Sequence, residues 1–207
     1  MNSLEQTLLK LARFFEKEGV SYMVIGGVAN LFWGVPRTTL DVDITLQVEE
    51  DQIQALVKNL RKEKFRIRVP NVLGFVRKTK VLPLEDGNGI RADLIFAKLT
   101  YEYEALQRAK NKSVQGRKIR ISSPEDLIIH KIISDRPRDR EDVRGIIQKL
   151  GRRLNRRFMD PLVRDLAHAL VRPEIWKFYT SCFHPSFRAA HRRKECPFFR
   201  ALVSITF

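Results

Sequence analysis

Long apolar runs are missing from this chain, cysteine nearly so, and acidic residues are outnumbered by basic ones. No stretch approaches the ~20 apolar residues a membrane span requires. The opening Met-Asn-Ser-Leu-Glu-Gln lacks the basic-then-apolar plan of a secretory leader, so a cytoplasmic protein is the expectation. Two cysteines in 207 residues, Cys182 and Cys196, both lie near the C-terminal end. A disulfide therefore cannot organise the bulk of the fold, which suits a reducing compartment. Gly26-Gly27 belongs to no Gly-x-Gly-x-x-Gly pattern, and no Gly-x-x-x-x-Gly-Lys-Ser/Thr occurs. Rossmann and P-loop phosphate sites are excluded on that ground.

What the chain has is positive charge. Thirty-nine Lys and Arg stand against 24 Asp and Glu, a formal net charge of +15. The excess is uneven: residues 151–207 carry 12 basic and four acidic side chains. Such a surface attracts RNA, DNA or nucleoside triphosphates over a Debye length; a merely solvated cationic surface is the plain alternative.

Periodicity divides the chain. Leu4, Leu8, Leu11 and Phe15 share a helical face over residues 3–18, stopped by Gly19. The run 22–25 is a short buried strand, Gly26-Gly27 a turn, and 28–33 one or two helical turns. Residues 40–48 alternate as a strand and 50–61 form a helix. Segments 65–69, 74–81 and 90–96 are predicted strands, with Asp86-Gly-Asn-Gly89 as a hairpin turn. A helix over 100–110 and a strand over 117–121 follow. Ser123-Pro124-Glu125-Asp126 places an N-cap serine, a proline at the first helical position and an acid three residues after the cap. That helix runs to about 134, a second from 139 to 150 with Asp139 as a candidate cap, and Asp160-Pro161 opens a third. The class is α+β: a mixed-sheet core over 1–122, a helical part over 123–180 packed on it, and a basic tail over 181–207 expected to be poorly ordered. The tail's Cys182, His184, His191 and Cys196 match no standard zinc spacing.

The chemistry concentrates in a few residues. Asp41 and Asp43, two apart on a strand, project from one face with Cα atoms ~6–7 Å apart, close enough to hold one hard divalent ion through oxygen. A glycine pair after a buried strand and before a helix lets backbone N–H groups approach a phosphate, although a tight turn needs glycine equally. Asp93 lies inside the apolar run 90–96, where a carboxylate costs several kcal/mol unless paired or metal-bound. Arg91, on the same face, is its simplest partner. Lys131 interrupts Leu127-Ile-Ile-His-Lys-Ile-Ile133 and either meets phosphate or snorkels and pairs with Asp135. Arg37 and Thr39 lie beside the Asp pair in the chain, where the arginine touches phosphate or one of the carboxylates. Asp139 and Asp142, a helical turn apart, either cap a helix or support the site from behind.

Taken together, Ile25-Gly-Gly-Val-Ala-Asn30, Arg37-Thr-Thr-Leu-Asp-Val-Asp-Ile44, Ala92-Asp-Leu94, Ser123-Pro-Glu-Asp-Leu127 with Lys131, and Arg138-Asp-Arg-Glu-Asp142 resemble the AbiEii-type nucleotidyltransferases. Those belong to the DNA polymerase β-like superfamily, whose members include toxins of abortive-infection and toxin–antitoxin systems. The resemblance covers roughly residues 4–180. It implies transfer of a nucleoside monophosphate from an NTP such as ATP to an acceptor hydroxyl, on a tRNA 3′ end, another RNA or a protein side chain. By it, Asp41, Asp43 and Asp93 hold two magnesium ions, or manganese in their place, and Asp93 positions or deprotonates the acceptor. Gly26, Gly27, Arg37, Thr39 and Lys131 bind the triphosphate, and a cognate antitoxin is an implied partner. Two other functions compete: a catalytically idle nucleotide- or RNA-binding regulator of the same fold, and a metal-dependent phosphodiesterase or nuclease. Three retained acids argue against the first, and the glycine turn before a helix argues against the second.

Overall fold

The computed structural model describes residues 3–184. The expectation of poor order for the basic tail thus lies almost wholly outside the described residues, as do His191 and Cys196. In chain order the elements are α1 (Ser3–Lys17), β1 (Ser21–Val24), α2 (Gly26–Trp33), β2 (Asp41–Gln47), α3 (Ile53–Lys62), β3 (Arg66–Ile67), α4 (Val72–Thr79), β4 (Val81–Glu85), β5 (Arg91–Phe96), α5 (Thr100–Arg108), β6 (Lys110–Val114), β7 (Arg117–Ile121), α6 (Pro124–Ser134), α7 (Pro137–Leu150), α8 (Arg156–Ala169) and α9 (Pro173–Ser181).

The seven strands form one mixed sheet in the order β3-β4-β5-β2-β1-β7-β6. β2 runs parallel to β5 and β1 parallel to β7, while the remaining neighbours are antiparallel. Val42, Ile44 and Leu46 of β2, Leu82 and Leu84 of β4, and Ala92, Leu94 and Phe96 of β5 are buried in a core shared with Leu8, Leu11 and Phe15 of α1 and Leu56 and Leu60 of α3. The same core continues into Ile128 and Ile132 of α6 and Ile146 of α7. Alternation puts Asp41, Asp43, Arg91 and Asp93 on the opposite, open face.

Several expectations are corrected. The strand expected over 74–81 is helical as far as Thr79, and only Val81 of it is strand: Asn71 accepts a hydrogen bond from the Gly74 N–H (3.0 Å), α4 follows, and Lys80 ends it in the left-handed region (φ +61°). The strand comes next, over Val81–Glu85, with Pro83 in its middle. Pro83 accepts from the Arg68 N–H (3.0 Å), so the N–H it lacks would face the end of β3, where pairing stops after two residues. β6 was unforeseen; it is a Lys-rich edge strand without an apolar face. α7 starts at Pro137 with Arg136 at its N-cap, so Asp139 is in the first turn and is not the cap. α8 starts at Arg156, capped by Asn155, and Pro161 sits inside it. Ser123 does cap α6 through the Asp126 N–H (3.0 Å), and the Asp86–Gly89 turn joins β4 to β5.

Candidate active site

β1 delivers the chain to Ile25, whose N–H donates to the Asp43 carbonyl (2.9 Å), and α2 starts at once. The two glycines are therefore the first turn of that helix and do not precede it. Gly26 has φ +64°, which only glycine adopts without cost. A Cβ at Gly26 would lie 1.9 Å from Asp43 Oδ2, and one at Gly27 would lie 2.3 Å from Thr39 Oγ1. The missing side chains let the α2 N-terminus press against the acid cluster. No side chain caps that terminus, so the first N–H groups and the helix dipole present positive potential where Asp43 stands.

The parallel register sets Asp43 of β2 directly beside Asp93 of β5, with Asp41 beside Arg91. Adjacent strands lie ~4.8 Å apart, which keeps all three carboxylates within one small patch. Burial, then the charges of Asp41 and Asp93, push the Asp43 pKa from 3.8 to about 6. Asp93 is raised by burial and by Asp41, against the pull of Arg68 and Arg91. Among the described residues no cation forms an ion pair with Asp43 or Asp93, and no three His, Cys, Asp or Glu side chains are drawn together as a closed ligand set. Thr39 donates from Oγ1 to Asp41 Oδ1 (3.1 Å).

Across the α2 terminus stands a cationic pair. Arg37 donates twice to Asp142, from Nε to Oδ1 and from Nη2 to Oδ2, both at 2.8 Å. Lys131 on α6 donates to the same Asp142 (2.6 Å) and to Asp139 (3.0 Å). Burial alone would raise the Asp142 pKa; the bonds from Arg37 and Lys131 reverse this and hold it below the usual carboxylate range. Lys131, 5 % exposed, does not pair with Asp135, which instead binds Arg140 and Arg172. Arg37 pairs with neither acid of β2. Both cations are thus fixed from behind by α7, and Lys131 is close enough to lower the Asp43 pKa in part.

The structure brings the acids, glycines, Thr39, Arg37 and Lys131 into one neighbourhood, with Asp139 and Asp142 behind the cations. Sequence reasoning missed Arg136 and Arg68, whose charges reach Asp43 and Asp93 respectively. Arg68 is legible only once Pro83 is known to lie between it and Asp93. A separate open groove of about 690 Å³ between α3 and α4 is lined by Lys58, Arg61, Pro70 and Leu73 among others, and by none of the acids.

The mixed sheet with helices packed on it and a helical C-terminal part is the fold of solved nucleotidyltransferases. Solved structures with this fold include the lincosamide antibiotic adenylyltransferase LnuA, lincomycin-bound (19% identity, 70% of this chain and 98% of that one, TM-score 0.51). The antibiotic-resistance factor ANT(2″)-Ia is similar too (18%, 84% and 98%, TM-score 0.59). So is an antigenic nucleotidyltransferase-like protein from Paracoccidioides brasiliensis (20%, 86% and 92%, TM-score 0.52). Among curated proteins, none matches. Residues 3–174 match the family described as nucleotidyltransferase of unknown function, DUF6036, and the chain belongs to it. It is a nucleotidyltransferase; the description of the matched family does not extend to the narrower AbiEii type. No helix of the described residues is long and apolar enough to cross a membrane.

Proposed function

We propose that the chain moves a nucleoside monophosphate from an NTP to an acceptor hydroxyl in a magnesium-dependent reaction. The observation that carries this reading is the Asp43–Asp93 register under the glycine start of α2, where a single Cβ would strike the Asp43 carboxylate. The donor set fits magnesium: three carboxylates on one face, two of them with raised pKa values, form an oxygen-rich cluster with which no cation among the described residues makes an ion pair. Asp41, Asp43 and Asp93 would hold it, and a bound divalent ion would screen charge on the phosphates during an in-line displacement.

The protein's own groups do the rest. The N–H groups of the α2 first turn receive the triphosphate, a ready anion site that only glycine leaves open. Arg37 and Lys131, pinned by Asp142, face its β and γ phosphates, giving one planar and one point-like donor. Thr39 orients Asp41. Asp93, raised by burial, takes the proton of the attacking hydroxyl as the new oxygen–phosphorus bond forms and pyrophosphate leaves. The acceptor is a tRNA 3′ end or a protein side chain, and a toxin role opposed by an antitoxin is the biology the sequence resemblance carries.

The test incubates the protein with magnesium, each α-labelled NTP and cell extract. Wild type labels one macromolecule and releases pyrophosphate. Asp41→Ala and Asp93→Asn fall by at least about a thousandfold, the scale of losing a group that acts in the transition state. Induction should arrest growth for wild type and not for Asp41→Ala if the toxin role holds. Tight NTP binding with no transfer by any NTP would instead support the idle binding module, and shortened RNA would support a nuclease.

A further inference from the structure

The open face of the sheet continues past the acids. Following the register outward from β2, one row reads Asp41, Arg91, Glu85, Arg66, and the next reads Asp43, Asp93, Pro83, with Arg68 hydrogen-bonded to Pro83. The residues between them, Val42, Ala92 and Leu84, point into the core, so the rows share the exposed face. At ~4.8 Å per strand, Arg68 stands ~10 Å from Asp93 and Arg66 ~14 Å from Asp41. Three guanidinium groups share this extension with one carboxylate. Glu85 binds Arg66 (2.7 Å) and lies 3.7 Å from Arg68, while no carboxylate among the described residues comes within 4 Å of Arg91.

Its position relative to the chemistry matters. The glycine turn, Arg37 and Lys131 all lie on the β1, α6 and α7 side of the acids. With the triphosphate there, an in-line displacement brings the attacking hydroxyl from the opposite side, over β5, β4 and β3. We infer that this arginine-lined extension binds the phosphodiester backbone of a nucleic-acid acceptor, whose 3′-hydroxyl reaches Asp93. This rests on the transferase reading and narrows its acceptor. The 3′-oxygen bonds to the α-phosphorus, the bond from that phosphorus to the β-phosphate bridge oxygen breaks, pyrophosphate departs, and the hydroxyl proton passes to the Asp93 carboxylate. A cationic small acceptor would meet three like charges there.

The test supplies RNA and DNA oligonucleotides, each with a free or a blocked 3′-hydroxyl, at saturating labelled NTP between 50 and 200 mM salt. Wild type should extend free ends of RNA, DNA or both. Arg66→Gln, Arg68→Gln and Arg91→Gln combined should raise the oligonucleotide KM about tenfold or more and flatten its salt slope by about one for each lost phosphate contact. Equilibrium binding of a non-hydrolysable NTP analogue should be unchanged. Glu85→Gln, which removes the one opposing charge, should lower the same KM, an opposite sign that misfolding cannot produce. Equal KM and salt slope in the triple variant, or labelling of protein with neither oligonucleotide extended, overturns the inference and leaves the transferase reading standing. Failure of wild type to bind the NTP analogue with magnesium overturns both.

Discussion

At Asp43 the fold holds a carboxylate where its charge is opposed by burial and by two neighbours. Its pKa rises from 3.8 to about 6, so the folded state binds this proton more tightly than the unfolded chain does. The associated stability is present below pH ~4 and is lost as pH rises through about 6, a swing of order 3 kcal/mol from this difference. Asp93 is raised too and acts in the same direction, whereas Asp142 is lowered and its contribution disappears as pH falls. Asp43→Asn should therefore unfold at higher urea than wild type at pH 8 without metal, by 1 to 3 kcal/mol, with the two converging near pH 4. Magnesium should stabilise wild type and leave the variant unmoved. Loss of stability in Asp43→Asn at pH 8 would refute this account. On the proposed reading transfer uses the ionised Asp43 carboxylate, so activity should rise with pH through about 6.

At the scale of elements, the β6–β7 hairpin turns at Gln115-Gly116, with φ +51° and +76° and Val114 paired to Arg117. Two positive φ values in a two-residue loop mark a type I′ turn, which favours Asn-Gly. Gln115→Asn should add several tenths to about 1 kcal/mol in chemical unfolding. No gain would mean that β6 frays in solution. This hairpin also shows why parts of the fold were hidden in the sequence. Periodicity reveals strands with one apolar face, as in β2 and β5, and so revealed Asp41, Asp43 and Asp93 as acids set into apolar alternation. β6 has no apolar face, β4 carries Pro83 in its middle, and Gly74 to Val81 alternates by chance while Asn71 caps a helix over it. The Arg37–Asp142 pair, 105 residues apart, has no local signal at all. The Gly26–Asp43 contact is likewise tertiary: the glycine pair was visible, but not the carboxylate that forbids its side chain.

For the whole molecule, the site divides into two sets of charge held by different parts of the chain, carboxylates without an ion-pair partner among the described residues and two cations paired from behind by Asp139 and Asp142. The carboxylates belong to the sheet, while Lys131 and Asp142 come from α6 and α7, and Arg37 comes from the loop before β2. One continuous core fixes both sets, so the carboxylates cannot relax fully from their mutual repulsion. On the proposed reading, a magnesium–NTP complex would put positive charge against the acids and phosphate oxygens against Arg37 and Lys131, engaging both sets at once. Ligand bound only to the folded state at a hundred times its dissociation constant adds about 2.7 kcal/mol. For a chain of this size that raises Tm by ~5–10 °C. Magnesium alone or NTP alone should give a smaller shift than the two contribute jointly, because without the metal the triphosphate meets bare carboxylates. Asp41→Ala should abolish the joint shift by removing the metal's anchor, and Lys131→Met should weaken it by raising the NTP concentration required. Additive shifts from metal and nucleotide, unchanged in Asp41→Ala, would show that the two sets of charge do not share one ligand.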